Sequence, residues 1–340
     1  MRNNHSVPGF SVHVAVLGLA ALITASNLLV PPSAGAVNTL AGTSGAAFMK
    51  LGQGSARAMG MGRAFVALAE GSDSMMWNPA GLAVTQQKEA VYSYLTFVQQ
   101  VTSPLYLAYA HPMGRTVWGA NVAYISVDGF DARDDIGAPL DNDNLLVRNG
   151  FASIGMARSF WYEKLFLGGA MRVIHEDIAG NIYDTAVGDI GAQLKPNSMV
   201  SLGLAVQNFG ASKANVAQIV RGGAAVRAAE FLTVAMEVAK ASDDRARLGL
   251  GMEFLLPEEY LDVGQVTFRV GYYNTDNMGR ATEDQAAWIE TFRLDRSNGL
   301  TFGFGLFTSR AFGYGLGLDY ALVPSGSLGT VNQFSVKLKF

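Results

Sequence analysis

The side chains able to do chemistry in this 340-residue chain are few and unevenly placed. Asp128, Asp131, Asp134, Asp135, Asp141 and Asp143 crowd one short stretch. Carboxylates at that density could ligate calcium, although a flexible acidic loop is more often simply solvated. Beyond the N-terminal region only His111 and His175 could serve as an acid, a base or a metal ligand near neutral pH. One falls in an expected turn and the other at an expected strand end, and we read both as structural. Cysteine is absent, which excludes disulfides, thiolate nucleophiles, zinc knuckles, iron–sulfur ligation and a lipoprotein anchor together. No nucleophile elbow, phosphate loop, zinc-binding helix or calcium-binding loop motif occurs. A hydrolase would need a serine facing one of two histidines, so the chain reads as a non-enzyme without a cofactor.

The remaining charges of interest lie inside apolar stretches. Arg172, Glu253 and Arg269 sit in segments that otherwise alternate apolar with small residues. A charge in such a place needs a partner whatever the protein does. Arg57 and Arg63, further toward the N-terminus, are candidate partners for Glu253.

What must position these residues follows from composition and period. Apolar residues make up 49% of the chain and charged residues 16%, against about 25% charged in an ordinary globular domain. Such a chain has either a very large core or a solvent less polar than water. The net charge of −3 offers no basic field for nucleic acid. Arg2, the apolar stretch Val12–Val30 and the small residues Ala34 and Ala36 read as a secretory signal with cleavage expected after Ala36; the alternative is a transmembrane anchor, against which His13, Thr24, Ser26 and Asn27 interrupt the stretch.

From Glu89 onward the period is two. Val200, Leu202, Leu204 and Val206 oppose Ser201, Gly203, Ala205 and Gln207; Leu248, Leu250, Met252 and Phe254 oppose Gly249, Gly251 and Glu253. The segments run to about ten residues, the length a tilted membrane-crossing strand needs. Tyr92, Tyr109, Trp118, Tyr124, Tyr272 and Tyr320 fall where interfacial aromatic girdles would lie. Strands in hydrocarbon cannot leave an edge unpaired, so the sheet must close. Fourteen strands are expected: Glu89–Val98, Ser103–Ala110, Arg115–Ser126, Val147–Arg158, Lys164–His175, Tyr183–Leu194, Met199–Gln207, Ala217–Ala228, Phe231–Ala239, Ala246–Leu255, Val263–Tyr273, Leu300–Thr308, Phe312–Leu322 and Val331–Phe340. Ala286–Leu294 would break the even count and is assigned to a loop. The long polar loops Val127–Leu146 and Asn274–Asn298 then fall on the extracellular side and the short turns on the periplasmic side.

The expected fold is therefore all-β: a fourteen-stranded antiparallel transmembrane β-barrel over residues 88–340, preceded by the signal at 1–36 and a glycine-rich segment at 37–87. That segment is too irregular to cross a bilayer. We place it as a hatch or plug inside the barrel, with a periplasmic cap as the alternative. Inward strand faces read as mainly Gly, Ala and Ser, which suits a filled lumen better than an open lipid pocket.

Within it, Phe48–Ala67 carries Gly52, Gly54, Arg57, Gly60 and Gly62, and Trp77-Asn78-Pro79-Ala80-Gly81-Leu82 follows. Together they resemble the N-terminal signature of the PorV/PorQ family. Leu318–Gly329 and Phe334–Phe340 resemble that family's last hairpin. Asn78, Pro79 and Gly81 also fit the Asn-Pro-Ala-Gly motif of the distantly similar FadL-type transporters. The resemblance implies a component or partner of a type IX-like secretion apparatus, with a large translocon and secreted cargo as partners. The alternative it implies is an outer-membrane transporter of hydrophobic small molecules. Phe334, Val336, Leu338 and the terminal Phe340 resemble the signal read by the barrel-assembly machinery. The expected location is the outer membrane, with its lipid as solvent.

Overall fold

The computed structural model describes residues 44–50, 54–96, 101–127, 146–178, 180–210, 216–261, 264–274, 299–311, 313–324 and 330–340. The signal, Gly52, the aspartate-rich stretch and Ala286–Leu294 lie outside these residues.

Fourteen strands form one closed sheet: β1 (Glu89–Thr96), β2 (Val101–Met113), β3 (Thr116–Val127), β4 (Val147–Phe160), β5 (Leu165–Ile178), β6 (Asn181–Leu194), β7 (Val200–Phe209), β8 (Ile219–Ala229), β9 (Leu232–Ala241), β10 (Ala246–Leu256), β11 (Gln265–Tyr273), β12 (Leu300–Ala311), β13 (Tyr314–Pro324) and β14 (Thr330–Lys339). Each pairs antiparallel with its sequence neighbours, and β1 closes on β14 from Glu89↔Lys339 to Thr96↔Asn332. His111 belongs to β2 rather than to a turn. The β2–β3 ladder continues past it to Met113↔Thr116, because Pro112 leaves the pairing intact at the strand end.

Alternation sorts the side chains. Tyr92, Tyr94, Leu107, Trp118, Val122, Ile154, Met156, Met171, Leu204, Met236, Phe268 and Leu318 form an apolar outer surface. Phe334 and Leu338 of the terminal strand share it, Val336 lies partly buried between them, and Phe340 stacks on Tyr109. A soluble sheet would turn polar residues outward on one face. The polar and charged residues here are instead buried inside: Ser153, Arg172, Asp189, Gln193, Glu237, Glu253 and Arg269.

Residues 54–85 pack against the inward strand faces. Their bulk is met by strand glycines. A Cβ on Gly168 would lie 2.5 Å from the Pro79 carbonyl oxygen, and one on Gly203 would lie 2.4 Å from that of Val66. One on Gly251 would lie 2.4 Å from that of Met61, and one on Gly271 would lie 2.1 Å from the Gly62 nitrogen. Backbone packs on backbone at these four places, which no other residue type allows.

Candidate functional site

The site is the lumen and the segment inside it. The helical turn Ala56–Gly60 starts at Ser55, whose hydroxyl accepts the Ala58 N–H. Gly62 and Arg63 both take positive φ, near 60°. They turn the chain sharply where Thr301 receives the Gly62 N–H at 3.0 Å and donates to the Gly60 carbonyl at 3.1 Å.

The Asn-Pro-Ala-Gly run opens the 3₁₀ turn Pro79–Val84. Asn78 caps it by accepting the Ala80 N–H at 3.1 Å, and Pro79 fills a first-turn position whose N–H would be unpaired. The Asn78 amide donates to the Val66 carbonyl at 3.0 Å and to that of Ala192 on β6 at 3.1 Å. Gly81 lies so close to Ala69 that a Cβ would meet its carbonyl oxygen at 2.3 Å. Gly54 is similarly crowded by Met76 and Gly60 by Gly303. Among the described motif residues, Asn78 ties the plug to itself and to β6, and Gly54, Gly60 and Gly81 lie at close approaches.

Charges fasten the plug on the side of the barrel where the chain termini of the sheet meet. Arg57 forms a two-point pair with Glu253, Nε to Oε2 and Nη2 to Oε1, both at 2.8 Å, and also contacts Glu70. Glu253 in turn receives Arg269 Nε at 2.7 Å, and Arg269 reaches Asp319 at 2.6 Å. Arg63 does not join Glu253. Its positive-φ backbone sends the guanidinium to the Lys50 carbonyl and over the Tyr273 ring. Burial raises the Glu70 pKa, but Arg57, Lys195 and Lys337 more than reverse that effect and hold it at about 2.

Arg172 lies apart from this chain of charges. It pairs with Asp189 at 2.7 Å, donates to Ser153 and Asn208, and sits over the Phe151 ring. Several fasteners escaped the sequence reading. Glu237 accepts both the Phe65 and Val66 N–H, at 2.8 and 2.7 Å, while paired with Arg221. Gln193 donates to the Ala69 carbonyl at 2.8 Å, and Gln207 to that of Met76 at 2.9 Å. A lone polar residue on an inward, otherwise small-residue face was the available signal.

The opposite end of the lumen differs. There Glu176 accepts the Ala46 N–H, and Asp243 binds both Ser44 and Lys50. Behind these contacts Phe48 and Met49 pack in an apolar cluster with Ile125, Phe151, Ile174, Val187, Met76 and Trp77; Phe48 and Phe151 lie 5.7 Å apart, ring centre to ring centre. The inward faces are thus not mainly Gly, Ala and Ser throughout. Small residues line the part that cradles plug backbone, and large apolar ones line the part that meets plug side chains. At the end where Glu89 pairs with Lys339, clefts of ≈ 520, ≈ 290 and ≈ 500 Å³ border the plug.

His111 contacts the Tyr109 hydroxyl at 3.0 Å and His175 contacts Asp184 at 2.7 Å, both on the outer face. Among the described residues no cluster of three metal-ligating side chains occurs.

No family profile and no curated protein sequence matches this chain. Solved structures do. The Ralstonia pickettii toluene transporter TbuX superposes with a TM-score of 0.55 at 12% identity, covering 83% of this chain and 96% of that one. The Pseudomonas putida toluene transporter TodX gives a TM-score of 0.50 at 12% identity, covering 82% and 96%. The likeness is one of fold, and neither match concerns protein secretion.

Proposed function

We propose that the chain spans the outer membrane and carries small hydrophobic molecules through its lumen, with residues 44–87 acting as a hatch. A closed barrel wearing apolar side chains outside and charges inside is stable only with hydrocarbon around it. One observation carries the transport reading: the lumen holds an apolar compartment at one end, filled by Phe48 and Met49 of the protein's own chain. Such a site favours a ligand without a charged headgroup, because the cations against its walls, Arg172 over Phe151 and Arg221 over Trp77, are already paired with Asp189 and Glu237. TbuX and TodX, which share this fold, are both described as toluene transporters, which supports the same substrate class. The secretion role implied by the PorV/PorQ resemblance has no comparable support.

Trp77 lies in this compartment, fully buried. With Trp118, Trp161 and Trp288 replaced by Phe, bromobenzene should quench Trp77 saturably in proteoliposomes. Quenching that stays linear up to the solubility limit would remove the binding site from the proposal.

A further inference from the structure

On the membrane reading above, the end of the barrel where Glu89 meets Lys339 is the periplasmic one, because its turns are short. The turn between β4 and β5 at this end is unusual. Trp161, Tyr162 and Glu163 take φ of 50°, 54° and 62° in succession. Residues other than glycine rarely adopt this conformation, and a run of three needs firm support. The Lys164 N–H supplies it by donating to the Phe160 and Trp161 carbonyls, both at 3.2 Å, and the Lys164 carbonyl accepts the Lys195 N–H at 2.7 Å.

What this strained turn presents is aromatic. Trp161 is 70% exposed and Tyr162 100% exposed. Glycine or asparagine would hold the same backbone at less cost. Glu163 turns the other way and lines a cleft inside the mouth of the barrel.

A cation stands beside the turn. Arg158 is exposed on the outer face of β4, in the same row of alternate residues as Ile154, Met156 and Phe160. Its partners across the sheet are Thr116 on β3 and Leu167 on β5, neither of them charged. Among the described residues no carboxylate pairs with its guanidinium, which lies over the Phe160 ring, 5.8 Å from the ring centre. The β2–β3, β4–β5 and β6–β7 turns around it are all described in full. A cation on a lipid-facing row needs an anion, and this part of the wall supplies none. Two residues of strand advance about 7 Å at most, and a headgroup layer is about 5–7 Å thick, so Arg158 and the turn share that layer.

We propose that Arg158 and the Trp161-Tyr162 turn bind an anionic phospholipid of the periplasmic leaflet, with the guanidinium on its phosphate and the two rings beside its glycerol backbone. A guanidinium offers paired N–H donors that match two phosphate oxygens. Tryptophan and tyrosine, each an apolar ring with one polar end, suit a layer that is half wet. The site lies outside the lumen, so it anchors the barrel at a fixed depth and takes no part in passage through it.

The test uses the full chain in phosphatidylcholine vesicles, with Trp77→Phe, Trp118→Phe and Trp288→Phe so that Trp161 is the only tryptophan. Insertion is matched by the heat-modifiable gel shift. Phosphatidylglycerol brominated near the top of its acyl chains should half-quench Trp161 at about fivefold lower mole fraction than phosphatidylcholine brominated at the same carbons. Arg158→Gln should erase that ratio, and Arg158→Lys should keep part of it. Sodium phosphate should lower the ratio no further than sodium chloride of equal ionic strength. Equal half-quenching by the two lipids, an unchanged ratio in Arg158→Gln, or a ratio lost to phosphate but not to chloride would overturn the proposal. A second protein that keeps only Trp118 separates the site from the membrane reading. Quenching of Trp118 without quenching of Trp161 overturns the site alone, and quenching of neither overturns the membrane placement.

Discussion

Arg57 and Glu253 join the plug to the wall through two parallel 2.8 Å contacts, and Arg269 approaches the same carboxylate from the neighbouring strand. Glu253 therefore keeps one cation when the other is lost. Arg57→Ala should loosen the plug while the barrel keeps its fold. Arg269→Ala should cost more, about 3 kcal/mol of barrel stability, because it takes the paired cation from Asp319 as well as one of the two from Glu253. Urea unfolding in detergent, followed by the heat-modifiable gel shift, would check the order; equal costs would contradict it.

The glycine cradle makes a second prediction. Gly271→Val and Gly203→Val place side-chain atoms inside plug backbone, where the first carbon alone would sit 2.1 and 2.4 Å from its nearest plug atom. Overpacking of this kind costs about 1–3 kcal/mol where the structure can relax, and here relief comes from displacing the plug. Both variants should show steady ion conductance in planar bilayers while wild type is closed. Gly169→Ala meets nothing nearer than 3.5 Å and should stay closed.

The fourteen strands were legible because two unlike solvents impose a period of two, and each expected strand overlaps an observed one. Glu253 and Arg269 stood out for the same reason, as charges on small-residue faces. Partner choice was not legible. Arg57 and Arg63 are six residues apart in one glycine-rich run, and only the positive φ of Gly62 and Arg63 sends the second guanidinium elsewhere. The apolar end of the lumen was missed because inward Phe151, Ile174 and Val187 look, in sequence, like outward ones. The register shift where β6 meets β7 goes with one residue of positive φ, Asn208, whose type alone does not announce it.

Acid should leave the plug in place over a wide range. The Glu70 pKa is depressed in the folded state, to about 2, against an ordinary value near 4.5. Its contribution is complete above the ordinary value and is lost only as pH falls through about 2. The Asp243 carboxyl at the other end is lowered too; burial opposes this, but hydrogen bonds from Lys50 and Ser44 and the Lys50 charge outweigh it. Conductance should stay closed from pH 7 to pH 4 and rise only below about pH 3. Opening between pH 7 and pH 5 would show that another group holds the plug.

Phe48 occupies the apolar compartment against Phe151. Phe48→Ala removes an internal competitor and should tighten binding of a small arene, read as a lower half-saturation for bromobenzene quenching of Trp77. Phe48→Trp should weaken it.

Uptake tests the transport reading most directly. Radiolabelled toluene should cross into liposomes bearing the wild-type barrel at least tenfold faster than into liposomes bearing Phe151→Asp, with equal insertion checked by the gel shift. Equal rates for the two proteins, or rates no higher than in empty liposomes, would contradict passage through the lumen.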